Sequence, residues 1–90
     1  MELKNRILLP AMETRFCTSD GKVTQTLIDY HVARAKGGCG LNITEVCAIH
    51  ESTHGTGYLA LYNKEHLSGM KALADAIHQA GGKLGIQIWH

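Results

Sequence analysis

The sequence predicts an α/β fold of parallel strands in the order β-α-β-α-β, and three observations predict it. Three short apolar runs, at 6–9, 40–46 and 83–90, alternate with two amphipathic helical patterns. Each helical pattern is long enough to be a crossover, so the strands are expected to be parallel and the crossovers right-handed. Each helix also ends on a glycine pair, Gly37-Gly38 and Gly81-Gly82, that leads straight into the next run.

Arg6-Ile7-Leu8-Leu9 makes the first strand and Pro10 closes it, because proline cannot donate to a ladder. Residues 14–22 form a polar loop with Asp20-Gly21 as its turn signal. Thr24 is placed to cap a helix running to about Lys36, with Leu27, Ile28, Val32 and Ala35 on one side. The second strand has Leu41 and Ile43 on one face and Asn42 and Thr44 on the other. Residues 47–61 are irregular and rich in His, Ser, Thr and Gly, a length typical of functional loops. Asn63 caps the second helix, whose stripe is Leu67, Met70, Leu73, Ala74 and Ile77. In the final strand Leu84, Ile86 and Ile88 are expected to pack on helices, with Gly85, Gln87 and Trp89 on the opposite face.

Ninety residues allow one small domain, and 44% hydrophobic residues fit a globular chain. A net charge of +1 with interspersed signs makes no case for nucleic acid or a membrane surface. No apolar run is long enough to span a bilayer, and the first residues lack a secretory signal, so a cytoplasmic protein is expected. Cys17, Cys39 and Cys47 are odd in number and lack CxxC spacing, which argues for reduced, packed thiols. His50, His54 and His66 put no two imidazoles on one helix face, so no metal site is expected. Glu45, at a strand end, could be catalytic, but a buried acid held by hydrogen bonds or an ion pair is the preferred reading.

Two parallel architectures compete. A dinucleotide-binding unit needs Gly-x-Gly-x-x-Gly after the first strand, and Pro10-Ala11-Met12-Glu13-Thr14-Arg15 contains no glycine. A (β/α)₈ TIM barrel fits better, since it assembles its site from the carboxyl ends of several strands. Such a barrel takes about 250 residues, so this chain supplies a βαβαβ segment of an incomplete barrel.

Leu3-Lys4-Asn5-Arg6-Ile7-Leu8-Leu9-Pro10-Ala11-Met12 resembles the opening of the old yellow enzyme family, the FMN-dependent NAD(P)H:flavin oxidoreductases. The resemblance continues through Asp20-Gly21-Lys22-Val23-Thr24, Tyr30-His31-Val32-Ala33-Arg34-Ala35-Lys36-Gly37-Gly38 and Gly40-Leu41-Asn42-Ile43-Thr44-Glu45-Val46. It runs on through Glu65-His66, Leu73-Ala74-Asp75-Ala76, Gly81-Gly82-Lys83 and Gln87-Ile88-Trp89-His90, in collinear order. The flavour is closest to the 2,4-dienoyl-CoA reductase and enoate reductase branch.

The resemblance implies residues 1–90 as the N-terminal third of an FMN-binding TIM-barrel domain, reducing activated C=C bonds with NADH or NADPH as electron donor. It places Pro10, Ala11, Met12 and Glu13 along the flavin, Val46 beside the isoalloxazine, and the Gln87 carboxamide on the pyrimidine edge. A carboxamide offers donors and acceptors at once, which suits that edge. The sequence departs from the family at two of these positions and at Arg15. Glu13 stands where many relatives have Thr or Cys, Arg15 replaces a substrate-contacting aromatic, and Val46 is bulkier than usual. An arginine at 15 suggests a carboxylate or CoA-linked unsaturated small-molecule substrate, against the alternative, preferred from the residue alone, of a solvated loop arginine. The family's catalytic His/His or His/Asn pair and its phosphate loops lie downstream of the stretch matched, so no catalytic residue is expected within this chain.

Two functional readings follow. One is the enzyme, complete only with the remainder of its own barrel and inactive as this segment alone. The other is a non-catalytic α/β module that self-associates as a homo-oligomer through its open strand edges.

Overall fold

In the computed structural model, which describes residues 1–53 and 55–90, the elements run β1 (Leu8–Leu9), α1 (Gln25–Lys36), β2 (Leu41–Ala48), β3 (Leu59–Ala60), α2 (Leu67–Gln79) and β4 (Lys83–Trp89). Every strand pairs with β2, and every pairing is parallel. Leu8 and Leu9 face Leu41 and Asn42 at the start of β2, while Leu59 and Ala60 face Cys47 and Ala48 at its end. β4 takes the other edge, from Leu41 opposite Lys83 to Ala48 opposite Trp89. The crossover helices α1 and α2 pack together on one side of this sheet.

The first strand is shorter than its apolar run because Asn5 intervenes. Its Oδ1 accepts the Ile7 N–H at 3.0 Å, and its Nδ2 donates to Gly38 O at 2.8 Å, so Arg6 and Ile7 belong to a side-chain-closed turn. Gly40 lies against this turn, where a Cβ would come within 2.7 Å of Asn5 Oδ1. The irregular segment after β2 contains β3, a two-residue strand too short to leave a periodic signal.

Helix α1 begins as its sequence predicts, with Thr24 Oγ1 accepting the Leu27 N–H at 3.2 Å. Its buried stripe is Leu27, His31 and Ala35; Val32 is only half-buried. The imidazole takes the inner position because Asn42 reaches up from β2: its Nδ2 donates to His31 O at 2.9 Å and lies 3.2 Å from His31 Nδ1. Burial pushes the His31 pKa down, which keeps the ring neutral with Nδ1 as acceptor. In α2, Met70, Leu73 and Ile77 are buried, whereas Leu67 at 60% exposure lies off the stripe. In β4 the alternation holds for Leu84 and Ile86, which pack on the core. Ile88, expected there too, is 67% exposed, at the end of a strand that pairs on one edge alone among the described residues.

A short 3₁₀ turn, Lys64–His66, leads into α2 and is anchored by His66. Its buried ring accepts the Asn63 N–H at Nδ1 (3.2 Å), which leaves the proton on Nε2 to donate to Asp20 O at 2.9 Å. A ring expected in the sequence as a loop histidine therefore pins the start of α2 to the loop before α1. His66→Ala removes both bonds and opens a cavity, so it is expected to destabilise the full-length protein by about 2–4 kcal/mol. A clear drop in the urea midpoint at unchanged m-value checks this.

Candidate functional site

The carboxyl ends of parallel strands gather residues from distant parts of the chain, and here they gather most of those singled out by sequence. Val46 lies opposite Gln87 across the β2–β4 ladder, so the two side chains share one face. Gly85 shares it as well, because a Cβ there would meet Ile43 and Leu41 side chains at 3.6 and 3.7 Å. This is the face away from the helices. Pro10, Ala11, Met12 and Glu13 continue β1 along the opposite edge of β2. Met12 is 54% exposed, and Glu13 is exposed as a residue while its carboxyl is partly desolvated beside Glu45. Among the described residues, neither the backbone amides of Met12 and Glu13 nor the Gln87 carboxamide has a partner within the chain.

Glu45 holds the loop that follows. Its buried carboxylate accepts the Thr14 hydroxyl at 2.5 Å, the Thr14 N–H at 3.3 Å and the Arg15 N–H at 3.2 Å. The acid is thus hydrogen-bonded, and among the described residues it makes no ion pair. It bears on its neighbours through space. The Glu13 pKa is pushed up from 4.5 to about 7 by burial, by a hydrogen bond with Glu45 and by that carboxylate's charge, with Arg15 opposing. Burial, with Glu45 adding, also pushes the Cys17 and Cys47 thiols up to about 11, so both are protonated and unreactive near neutrality. Cys17 donates its S–H to Gly57 O at 3.0 Å.

Arg15 has a left-handed backbone, φ 57°, an unusual conformation for a non-glycine residue. Its guanidinium lies over the Tyr58 ring, 4.5 Å from the centroid, and donates to Tyr58 Oη at 2.7 Å and to Thr56 O at 3.4 Å. Tyr58 in turn packs on Trp89, with centroids 5.5 Å apart. Arg15, Tyr58 and Trp89 therefore form one continuous stack across the strand ends. Beside it, His90 Nδ1 lies 2.6 Å from Thr53 Oγ1, and the His50 ring is 5.6 Å from that of His90. His54, the remaining histidine of the loop, lies outside the described residues. Among the described residues, no three His, Cys, Asp or Glu side chains converge to hold a metal, and no helix is long and apolar enough to cross a membrane.

Sequence reasoning missed three participants: Thr14, Thr44 and Tyr58. Thr14 and Tyr58 stand on loops with no periodicity to read. Thr44 was placed on the correct face, but its partner, the Gln87 N–H, depends on an irregularity in β2 that has no sequence signature.

Comparison with known proteins agrees with this geometry. The model of the NADH:flavin oxidoreductase / NADH oxidase family matches residues 1–90. A NADH oxidase from Thermoanaerobacter brockii is 40% identical over 90 residues, covering 98% of this chain and 14% of that protein. A NADH:fumarate oxidoreductase from Klebsiella pneumoniae is 40% identical over 92 residues, covering 99% of this chain and 10% of that protein. The solved old yellow enzyme from Pichia sp. AKU4542 superimposes with a TM-score of 0.92 at 26% identity, over 100% of this chain and 24% of that one. The chain thus spans a small part of the length of these relatives, and its open sheet is a βαβαβ segment of their TIM barrel. With its whole length matched by the family model, the chain belongs to the NADH:flavin oxidoreductase / NADH oxidase family.

Proposed function

We propose that these ninety residues are the N-terminal part of a TIM-barrel domain that binds FMN and reduces activated C=C bonds with NADH or NADPH as electron donor. One observation carries the reading. At the carboxyl ends of the strands, unpartnered polar groups from two separate segments, the Met12 and Glu13 amides and the Gln87 carboxamide, flank the face that carries Val46 and side-chain-free Gly85. Such an arrangement suits a flat heterocycle with donors and acceptors along one edge.

When bound, FMN supplies the hydride chemistry. The chain's own part is to bind and orient it. Gln87 would hold the pyrimidine edge, the 10–13 backbone would line the ring, and Val46 would bound it from β2. The groups that clamp the phosphate and protonate the substrate come from the remainder of the barrel, so the segment alone turns over nothing. That remainder also covers the open face and edges, and without it the segment self-associates. The complete enzyme works in the cytoplasm.

Arg15 points to the substrate class. Two of the five guanidinium N–H donors are engaged by Tyr58 and Thr56, and among the described residues no carboxylate pairs with it. Three donors remain for a ligand carboxylate, which favours an enoate or a CoA-linked enoyl substrate over a neutral enone. The Klebsiella relative, an NADH:fumarate oxidoreductase, bears a substrate name of this kind, an unsaturated dicarboxylate.

Full-length protein is expected to purify yellow, with an absorbance that NADH or NADPH bleaches, and Gln87→Leu to weaken FMN binding by about 5- to 100-fold. A colourless preparation that takes up no FMN sinks the proposal. Arg15→Leu is expected to raise KM for an unsaturated carboxylate by about 10- to 100-fold while leaving a neutral enone nearly unaffected; steady-state kinetics on the two substrates check it.

Glu13 adds a pH dependence. With its pKa raised to about 7, the side chain is neutral below that pH and anionic above it. An anion near a ring that gains negative charge on reduction disfavours the reduced form. The flavin potential is therefore expected to fall more steeply above pH 7 in wild type than in Glu13→Gln. Stability follows the same sign: the contribution of a raised carboxyl is complete below about pH 4.5 and lost as pH rises through about 7. Potentiometric and denaturant titrations of both proteins at pH 5.5 and 8 check the pair.

A further inference from the structure

The proposed site makes no direct use of Thr44 or Glu45, yet both are buried in the middle of β2 and both reach toward it. Strict alternation along β2 would put Glu45 on the face of Leu41 and Ile43. The ladder prevents this. Ile43 pairs with Gly85 and Val46 pairs with Gln87, so Thr44 and Glu45 together oppose the single residue Ile86, a β-bulge. The extra residue keeps Val46 on the open face and turns Glu45 away from it.

Each bulge residue is then committed to a different wall of the site. Thr44 Oγ1 accepts the backbone N–H of Gln87 at 3.3 Å, an acceptor supplied where the bulge breaks the regular ladder. Glu45 accepts the Thr14 hydroxyl and the amides of Thr14 and Arg15, which fixes the end of the 10–13 strip and the left-handed turn at Arg15. The two walls come from opposite edges of β2 and have no other element in common.

We propose that the Thr44–Glu45 bulge is the positioning device of the flavin site, Thr44 setting Gln87 and Glu45 setting the strip after β1. This inference rests on the flavin reading above. Both residues act through others: neither needs to touch the cofactor.

The test measures FMN affinity by fluorescence titration, together with the flavin absorbance spectrum, in the full-length protein. Thr44→Val keeps the shape and removes the acceptor, so it is expected to weaken FMN about tenfold, with Thr44→Ser restoring near-wild-type binding. If Thr44 acts through Gln87, Thr44→Val is expected to add little in a Gln87→Leu background. Glu45→Met keeps the length of the side chain and removes the acceptor of the Thr14 hydroxyl and of the Thr14 and Arg15 amides; it is expected to weaken FMN about tenfold or more and to shift the flavin bands. Folded Thr44→Val and Glu45→Met proteins that bind FMN as wild type does would overturn the proposal while leaving the flavin reading intact. Full additivity of Thr44→Val with Gln87→Leu overturns the Thr44 half. Should Glu45→Met fail to fold, Thr14→Val, which removes the hydroxyl that Glu45 accepts, decides the Glu45 half: FMN binding weakened severalfold supports it and wild-type binding overturns it. A wild-type protein that binds no FMN overturns both readings together.

Discussion

The structure depends on what β2 does with its buried polar side chains. The central strand of a parallel sheet whose two faces are both covered, as in a barrel, normally reads as a near-continuous apolar run. β2 instead buries Asn42, Thr44 and Glu45, and each is committed to a different element: Asn42 to α1 through His31, Thr44 to β4 through Gln87, Glu45 to the loop after β1 through Thr14 and Arg15. An unmade bond at any of them costs about 1–3 kcal/mol, so only the arrangement that satisfies all three is strongly favoured. The Oδ1 of Asn42 has no partner among the described residues, a cost that offsets part of what its Nδ2 bonds contribute.

Much of this was legible in the sequence where the signal is local. Thr24, the glycine pairs and the 3.6-residue periodicity gave both helices, and two-residue alternation placed Gln87 on the face that Val46 shares. What was not legible is set by partners far along the chain. Periodicity favoured Val32 over His31 for the inner face of α1, because a neutral buried imidazole is acceptable only once Asn42 is there to meet it. The Glu45 clamp joins residues 30 and 31 positions apart, and the bulge that aims it is a property of the pairing with β4. Leu59 and Ala60 are a strand only because the end of β2 offers an edge.

Residues 56–58, just before β3, are held from the site side. Tyr58 lies between Arg15 and Trp89, and Gly57, at φ 84°, brings its carbonyl to Cys17 and its Cα toward the guanidinium. The strained backbone of Arg15 is therefore held from both sides, by Glu45 on its amide and by Tyr58 on its side chain. Strain of this kind persists only where surrounding contacts over-determine it, and such places are where proteins present chemistry.

The two faces of the sheet differ in a way that bears on how such a site forms. The helix side is closed over Leu27, Leu73, Ile77 and Cys47, whereas Leu41, Ile43 and Val46 on the opposite face are only half-buried. Burial of apolar surface is worth about 25 cal/mol per Å², so a barrel interior that covers those three side chains gains stability from the same closure that encloses the strand ends. Gly85 leaves that face without a side chain at the level of Ile43, one pleat below Gln87. Closure there brings cover to the apolar residues while Gln87 and the Met12 and Glu13 amides still lack partners. Completing the barrel and binding a polar, planar group at its mouth are then favoured by adjacent patches of one surface, and the bulge at Thr44–Glu45 fixes both patches to the same strand.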